Sequence, residues 1–264
     1  MKASIEDVLS LKAILNKHDR QEKHIGYHIL PERFNSLIAG TEHENKYAYY
    51  EKERFAFFKD NVQFLGAKII DIGCNTGYFL FGALDSGAKE VTGYEGKKSC
   101  GDFLEQAVLL LSDKNNFIVN NHYYQFDDAS EKYDIGLLLN VIHHTGDDYH
   151  SDKTDIDEAK ENMLKQVNLL SHQIGILIFQ MGYNWKGNRN LCLFPNGTKS
   201  EMIEFIQQGT LGYWDVTCIG IPEKQDGVVR YKKPNDKNIK RNDALGEFLN
   251  RPVFILKSRQ FQGN

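Results

Sequence analysis

Two carboxylates set at the ends of apolar runs, and one pair of adjacent histidines, carry most of the chemistry this sequence offers. Asp71 stands at the far end of the run Ile69 to Ile72, just before the chain breaks at Gly73 and Gly77. Lacking a Cβ, these glycines take positive φ or let a ligand atom approach the backbone, and the first N–H groups of a following helix point into the same space. The spacing Gly73-x-x-x-Gly77 is neither Gly-x-Gly-x-x-Gly nor the phosphate-cradling Gly-x-x-x-x-Gly-Lys-Ser/Thr. With no lysine in the turn and an acid before it, the stretch suits a cationic or amino-acid-bearing ligand better than a pyrophosphate. A second carboxylate, Glu95, ends the next apolar segment, where an α/β sheet binds the two hydroxyls of a ribose. Farther along, His143 and His144 precede an acidic stretch that holds Asp147, Asp148, His150 and Asp152. Imidazole titrates near neutral pH and so serves as a general base, while the acids with His143 form a set that could ligate a divalent metal.

These residues resemble the class I S-adenosylmethionine-dependent methyltransferases. Asp71, Gly73, Asn75 and Gly77 match the first motif of that family, Glu95 matches its ribose acid, and the segment from Tyr133 to His144 follows at the distance of a fourth strand. The motifs cover about residues 64–182. The resemblance implies S-adenosylmethionine as cofactor, S-adenosylhomocysteine as product, and cofactor contacts at Asp71, Gly73, Asn75, Gly77, Glu95 and Asn140. In such a displacement the leaving sulfur already carries positive charge, so the protein mainly aligns the nucleophile and removes its proton. His144 is the expected base and His143 the alternative, since two adjacent side chains rarely point into one site. No metal is expected, the acidic stretch 147–152 being accounted for by solvation. The segment after the fourth strand lacks both Asp/Asn-Pro-Pro-Tyr/Phe, the mark of exocyclic-amine methylation, and the Pro-Cys pair of pyrimidine C5 methylation. Oxygen is left as the acceptor atom.

The elements that must hold these residues alternate. Strands are expected at 67–72, 90–94, 116–120, 133–140 and 174–181, with helices at 77–86, 99–111 and 155–170 between them, which makes a parallel, doubly wound α/β sheet. A helix at 198–207 opens with the capping box Thr198-x-x-Glu201, and strands at 215–221 and 253–258 close the chain as an antiparallel pair. The family resembled orders such a seven-stranded sheet 3-2-1-4-5-7-6 with the last strand antiparallel. Residues 1–60 are expected to form an N-terminal helical cap, with an amphipathic helix at 5–15, a mixed segment at 24–38 and a charged, aromatic helix at 42–60. Most of its aromatics, among them Phe55, Phe57 and Phe58, are read as padding the sheet. Residues 61–264 form the Rossmann-like domain, with substrate loops at 182–198 and 222–250.

Those loops suggest the acceptor. Tyr183 and Trp185 are placed to stack on a sugar or base, with Arg189 to pair an anion. The link 222–250 brings Arg230, Lys232 and Lys233 to the same rim. Of the 264 residues 41% are hydrophobic, and 32 Lys and Arg against 36 Asp and Glu leave a net charge of −4. That balance gives no general affinity for nucleic acid, although a local basic patch is compatible with it. The four cysteines, Cys74, Cys100, Cys192 and Cys218, are scattered without a CxxC. They are read as reduced thiols of a cytoplasmic protein. No apolar leader and no run of about 18 apolar residues stands in the sequence, so neither secretion nor a membrane span is expected. Within the superfamily the chain resembles sugar and capsule-polysaccharide O-methyltransferases and the wobble-uridine tRNA-modifying enzymes. The favoured acceptor is a hydroxyl of a small anionic carbohydrate, a sugar phosphate or nucleotide sugar. A tRNA wobble uridine is the alternative, and a cofactor-binding subunit without catalysis the third reading.

Overall fold

Aliphatic runs covered by helices on both faces become short parallel strands, and the positions of those strands organise everything else. A computed structural model describes residues 49–111, 115–127, 131–144, 155–188 and 190–263, together with Leu11 and Arg33. The expected cap therefore lies outside the described residues up to 48, those two side chains excepted. Its described part is helix α1, Glu51–Asn61.

The chain divides into two compact units, the first comprising Met1–Phe55 with Gln63–Tyr124 and the second Ala56–Val62 with Gln125–Asn264. In the first unit, β1 (Lys68–Ile72), β2 (Glu90–Tyr94) and β3 (Phe117–Asn120) pair in parallel, in the order β3-β2-β1. Helix α2 (Tyr78–Asp85) connects β1 to β2, and α3 (Lys98–Leu110) connects β2 to β3. Ile69, Ile70, Val91, Leu80, Phe81, Phe103 and Leu104 are completely buried between strands and helices, each such side chain contributing about 1.5–3 kcal/mol by leaving water. Phe55 of α1 joins this core against Phe64 and Phe79, with ring centroids 5.5 and 6.2 Å away.

The second unit holds β4 (Tyr133–Leu139), α4 (Ile156–Leu169), β5 (Ile174–Gln180), α5 (Lys199–Gly209), β6 (Trp214–Gln225), β7 (Val228–Lys232) and β8 (Val253–Ser258). Asp155 caps α4 by accepting from the Glu158 N–H, and Thr198 with Glu201 forms the complete capping box of α5. β4 and β5 are parallel, β8 pairs antiparallel with both β5 and β6, and β7 pairs antiparallel with β6. β6 therefore runs with β4 and β5, and the carboxyl ends of all three face the same way as the amino end of β8. The Trp214 indole donates to the Val167 carbonyl at 3.1 Å and ties β6 to α4. Phe57, from the later part of α1, stacks on Tyr231 of β7 with centroids 5.3 Å apart.

Within the first unit the strands follow the order β3-β2-β1, and within the second β4-β5-β8-β6-β7. The mixed α/β sheet is the one expected, with eight strands in place of seven. The addition is β7. The expectation of a loop over the whole of 222–250 is corrected: β6 continues to Gln225, turns at Asp226 and Gly227 (φ 50° and 80°), and returns as β7. Both turn residues have positive φ, the geometry of a two-residue hairpin whose twist matches its strands. Register pairs Gly220 with Val253 but Ile221 with Lys232, so beyond Gly220 the hairpin continues past the end of β8. Among the described residues no helix is long and apolar enough to cross a membrane.

Candidate active site

In the first unit the register sets Asp71 opposite Gly93 and Ile72 opposite Tyr94, so Asp71 and Glu95 emerge at the same end of two neighbouring strands. The turn after β1 is pinned to β2, because the N–H groups of Gly73 and Cys74 both donate to the Tyr94 carbonyl, at 2.8 and 3.1 Å. Gly73, Asn75 and Gly77 have φ of 78°, 51° and 77°. A Cβ on Gly77 would stand 2.6 Å from Leu104 Cδ2, so any other residue there would part α2 from α3 as well as strain the backbone. Glu95 braces the same turn. Its Oε2 accepts from the Asn75 N–H and its Oε1 from the Lys97 N–H, both at 2.8 Å, and each oxygen keeps a lone pair for another donor.

Two further ionisable groups, Glu51 and Arg54, come from α1, where they are 1% and 0% exposed. The Arg54 guanidinium lies 5.0 Å from the centre of the Phe79 ring and 3.8 Å from Glu51 Oε1. Burial, then the charge of Glu95, pushes the Asp71 carboxyl up to about 8, with Arg54 opposing. Burial also raises Glu51 against the pull of Arg54, and raises Glu95 against the backbone donors Lys97 and Asn75. Two buried carboxyls, Glu51 and Asp71, and the half-buried Glu95 thus share one buried guanidinium among the described residues. Buried charge without a counter-charge is costly, so this end of the sheet fits a ligand that brings positive charge.

A pH dependence follows. Between the ordinary value of 3.8 and about 8 the folded protein keeps a proton on Asp71 that the unfolded chain has released. The contribution of this group to stability is therefore complete below 3.8 and drains away as pH rises toward about 8. The ligand-free protein should lose thermal stability over that range, and Asp71→Asn should flatten part of the loss, Glu51 and Glu95 supplying the rest. Melting curves across pH check this, and equal slopes in mutant and parent would refute it.

In the second unit, Asn140 follows β4 with φ 61° and is 8% exposed. Its Oδ1 accepts from Arg251 Nη1 at 2.9 Å, its Nδ2 donates to Gln180 Oε1 at 3.0 Å, and Gln180 Nε2 donates to the Arg251 carbonyl at 3.1 Å. The ends of β4 and β5 are locked to Arg251, two residues before β8. Arg251 Nη2 also donates to Glu247 Oε1 at 2.5 Å, and Glu247 Oε2 accepts from Asn184 Nδ2 at 2.8 Å. The two histidines differ. His143 is 3% exposed, and its Nδ1 accepts from the Gly182 N–H at 3.2 Å, which leaves the proton of the neutral ring on Nε2. Burial, then the Arg251 cation and His144, holds its pKa well below the usual histidine value. A Cβ on Gly182 would come within 2.7 Å of His143 Nε2 and 3.2 Å of Arg251 Cζ, so only glycine lets ring and guanidinium pack there. His144 is half-buried, with its ring centre 4.4 Å from that of His143 and its Cε1 3.2 Å from where a Cβ on Gly187 would be.

The loop after β5 folds on itself, with Leu193 N–H donating to the Tyr183 carbonyl and Trp185 N–H to the Leu191 carbonyl, both at 2.8 Å. Tyr183 and Trp185 are 2% and 6% exposed, and the Tyr183 hydroxyl donates to the Asn250 carbonyl at 2.6 Å. The Lys186 ammonium sits 4.7 Å from the centre of the Trp185 ring. Facing this loop is a cleft of about 470 Å³ lined by Tyr183, Asn184, Phe194, Asn196, Arg241 and Glu247 among others. Arg230, Lys232 and Lys233 do not line it. They are exposed on the β6–β7 hairpin and just after it, and make no ion pair with another described residue. Arg189 and the acidic set Asp147, Asp148, His150 and Asp152 lie outside the described residues. Among the described residues no group of three or more His, Cys, Asp and Glu could hold a metal. Sequence reasoning missed Arg54, Gln180, Glu247 and Arg251, while Arg241 is one of the cations of the 222–250 link. The contacts of Arg54 with Phe79, of Gln180 with Asn140 and of Arg251 with Asn140 join residues distant in sequence, and the near pairs Glu51–Arg54 and Glu247–Arg251 have the spacing of ordinary surface ion pairs, so no local spacing marks a site.

No family model matches the chain. A tRNA U34 carboxymethyltransferase of Campylobacter hominis is 24% identical over 207 residues, which is 74% of this chain and 66% of that protein. The protein of the same name from Campylobacter concisus is 30% identical over 110 residues, 38% of this chain and 36% of its own length. The chain thus spans less than two thirds of these curated relatives. Among solved structures, the bifunctional kinase-methyltransferase WbdD superposes on 92% of this chain and 46% of its own, with 13% identity and TM-scores of 0.58 and 0.56 in two structures.

Proposed function

We propose that this chain, which carries the fold of the class I S-adenosylmethionine-dependent methyltransferases, transfers a methyl group to a hydroxyl oxygen of a small anionic carbohydrate. The observation that carries the reading is the excess of carboxyl over cation among the described residues where β1 and β2 end, with Asp71 buried and Glu95 half-buried beside the one guanidinium of Arg54, which fits a cationic cofactor bearing a ribose. S-adenosylmethionine supplies an electrophilic methyl on a positively charged sulfur and leaves as S-adenosylhomocysteine. Glu95, already oriented by two backbone donors, takes the ribose hydroxyls on its remaining lone pairs. Asp71 answers the cofactor's positive charge, and the turn from Gly73 through Asn75 to Gly77 gives close backbone approach. Asn140, fixed by Arg251 and Gln180, holds the end of β4. His144 takes the proton of the acceptor hydroxyl, while His143, neutral and bonded to Gly182, supports the loop from beneath.

A second reading, the wobble uridine of a tRNA, is favoured by the names of the two curated relatives and by the exposed cations Arg230, Lys232 and Lys233 on the β6–β7 hairpin and just after it. Release of S-adenosylhomocysteine, screened with sugar phosphates, nucleotide sugars and total tRNA, separates the two. Release with sugar compounds alone supports the first reading, and release with tRNA alone overturns it in favour of the second. No release with any of them points to a cofactor-binding subunit without catalysis. If tRNA is the acceptor, replacing Arg230, Lys232 and Lys233 together with alanine should reduce the slope of log affinity against log salt by roughly 2 to 3, about one per lost phosphate contact. An unchanged slope in a titration from low to physiological salt would remove the hairpin from tRNA binding.

A further inference from the structure

The cleft beside the loop after β5 is built from parts that the two loops alone do not predict, and its polar groups are already aimed. Arg241 Nε donates to Asp243 Oδ1 at 2.6 Å and Nη1 to the Gly197 carbonyl at 3.0 Å, with the guanidinium 5.3 Å over the Tyr183 ring. Two of its three nitrogens are therefore fixed, and among the described residues none takes Nη2, which faces a ligand's place in the cleft. Asp243, 79% exposed, is screened by water and offsets the guanidinium only weakly. Glu247, the other acid of the cleft, is neutralised by Arg251 and oriented by Asn184. Each of its oxygens can still accept a hydroxyl, as can the Asn184 carbonyl oxygen. The floor is aromatic, with Phe194 edge-on to Tyr183 at 6.0 Å. The wall that carries Arg241 and Glu247 is pinned from within: the buried Asn250 side chain donates to the carbonyls of Asn242 and Gly246, both at 2.8 Å, and accepts from the Asn242 N–H at 2.9 Å. Lys199 adds a bond to the Lys240 carbonyl at 2.7 Å.

We propose that this cleft is the recognition subsite for the acceptor: it takes one hydroxylated ring bearing a single anionic group, with Arg241 as the anion's partner and Glu247 and Asn184 as partners of its hydroxyls. The assignment rests on the transfer reading above and deepens it. A volume of about 470 Å³ falls within the range of small-molecule sites, and a preoriented guanidinium binds carboxylate or phosphate oxygens with little further loss of side-chain freedom. The same chemistry serves a sugar phosphate and a uronic acid.

Glucose 1-phosphate, glucuronate, glucose and uridine 5′-monophosphate are the probes, titrated calorimetrically into the whole chain and into Arg241→Gln and Arg241→Lys. One or both anionic sugars should bind about tenfold or more tighter than glucose, Arg241→Gln should erase that margin, and Arg241→Lys should keep part of it. Should the variants fold poorly, the parent offers a second readout, since Cys192 lines the cleft and is exposed. Its alkylation by iodoacetamide should slow in the presence of the bound anionic sugar, and that of Cys218, which does not line the cleft, should not. Equal affinity for charged and uncharged sugars, an Arg241→Gln variant that binds the anionic sugar as the parent does, or tightest binding of uridine monophosphate would overturn the proposal. So would absence of binding by all four probes, or alkylation of Cys192 at an unchanged rate. Since binding is read without cofactor, sugar binding with no S-adenosylhomocysteine release would refute the transfer reading and leave the subsite standing.

Discussion

Glu95→Ala should weaken S-adenosylmethionine binding by about 2 to 4 kcal/mol, which is roughly 30- to 1,000-fold. The loss has two sources that can be separated. One is the pair of charge-assisted hydrogen bonds expected from the ribose hydroxyls to the carboxylate. The other is the brace itself, since the same carboxylate accepts from the N–H groups of Asn75 and Lys97, at 2.8 Å each, and holds the turn after β1 in its left-handed conformation. Glu95→Gln keeps one good acceptor for the turn and surrenders the charge, so it should fall between parent and alanine variant. Asp71→Asn touches neither backbone donor and removes a group that is largely protonated at neutral pH without ligand. Its effect should therefore be smaller near pH 7 and grow as the parent's carboxyl ionises above about 8. Calorimetry on the three variants at two pH values is the measurement. An unchanged affinity in Glu95→Ala would sink the assignment of this end of the sheet to the cofactor.

Much of the fold was legible because parallel strands covered on both faces write themselves as unbroken aliphatic runs. β1, β2, β4 and β5 fall within a residue of the expected bounds for that reason, and Thr198 with Glu201 announced α5 by a purely local rule. The hairpin is also written locally, as Asp226-Gly227, but its flanks Glu223, Lys224 and Gln225 lack the apolar alternation that marks strands, so the local pattern there is that of a loop. The polar frame could not have been read in this way. Arg251 and Asn140 stand 111 residues apart, and what joins them is the antiparallel return of β8 beside β5. Arg54 looks like any surface charge on an aromatic helix, and only the packing on Phe79 shows it to be wholly buried. Tyr183 and Trp185 were expected at the rim, and the structure tucks their rings under the loop that carries them. An aromatic side chain gains more from burial than a short loop of Asn and Gly can withhold from it.

Of the two adjacent histidines, only His144 should behave as a base. An alcohol holds its proton too tightly to attack unaided, and removal of that proton by a positioned imidazole contributes typically ~10² to 10⁴ in rate. His144→Ala should lower kcat by about that factor with S-adenosylmethionine affinity intact. His143 is committed elsewhere: its Nδ1 accepts from Gly182, and burial, then the Arg251 cation alongside, holds its pKa well below the usual histidine value, which opposes an imidazolium there. Its replacement by alanine removes a buried ring and leaves the Gly182 N–H without a partner, so the expected loss is in stability, about 2 to 4 kcal/mol, with kcat of the folded fraction changed far less. The pH dependence should separate the two again, because activity of the parent and of His143→Ala should fall on the acid side in the range where imidazoles titrate, roughly pH 5 to 7. The residual activity of His144→Ala should lack that limb. Single-turnover rates and melting temperatures on both variants decide the matter. Full kcat in His144→Ala together with a flat profile from roughly pH 6 to 8 in the parent would move the proton to another acceptor.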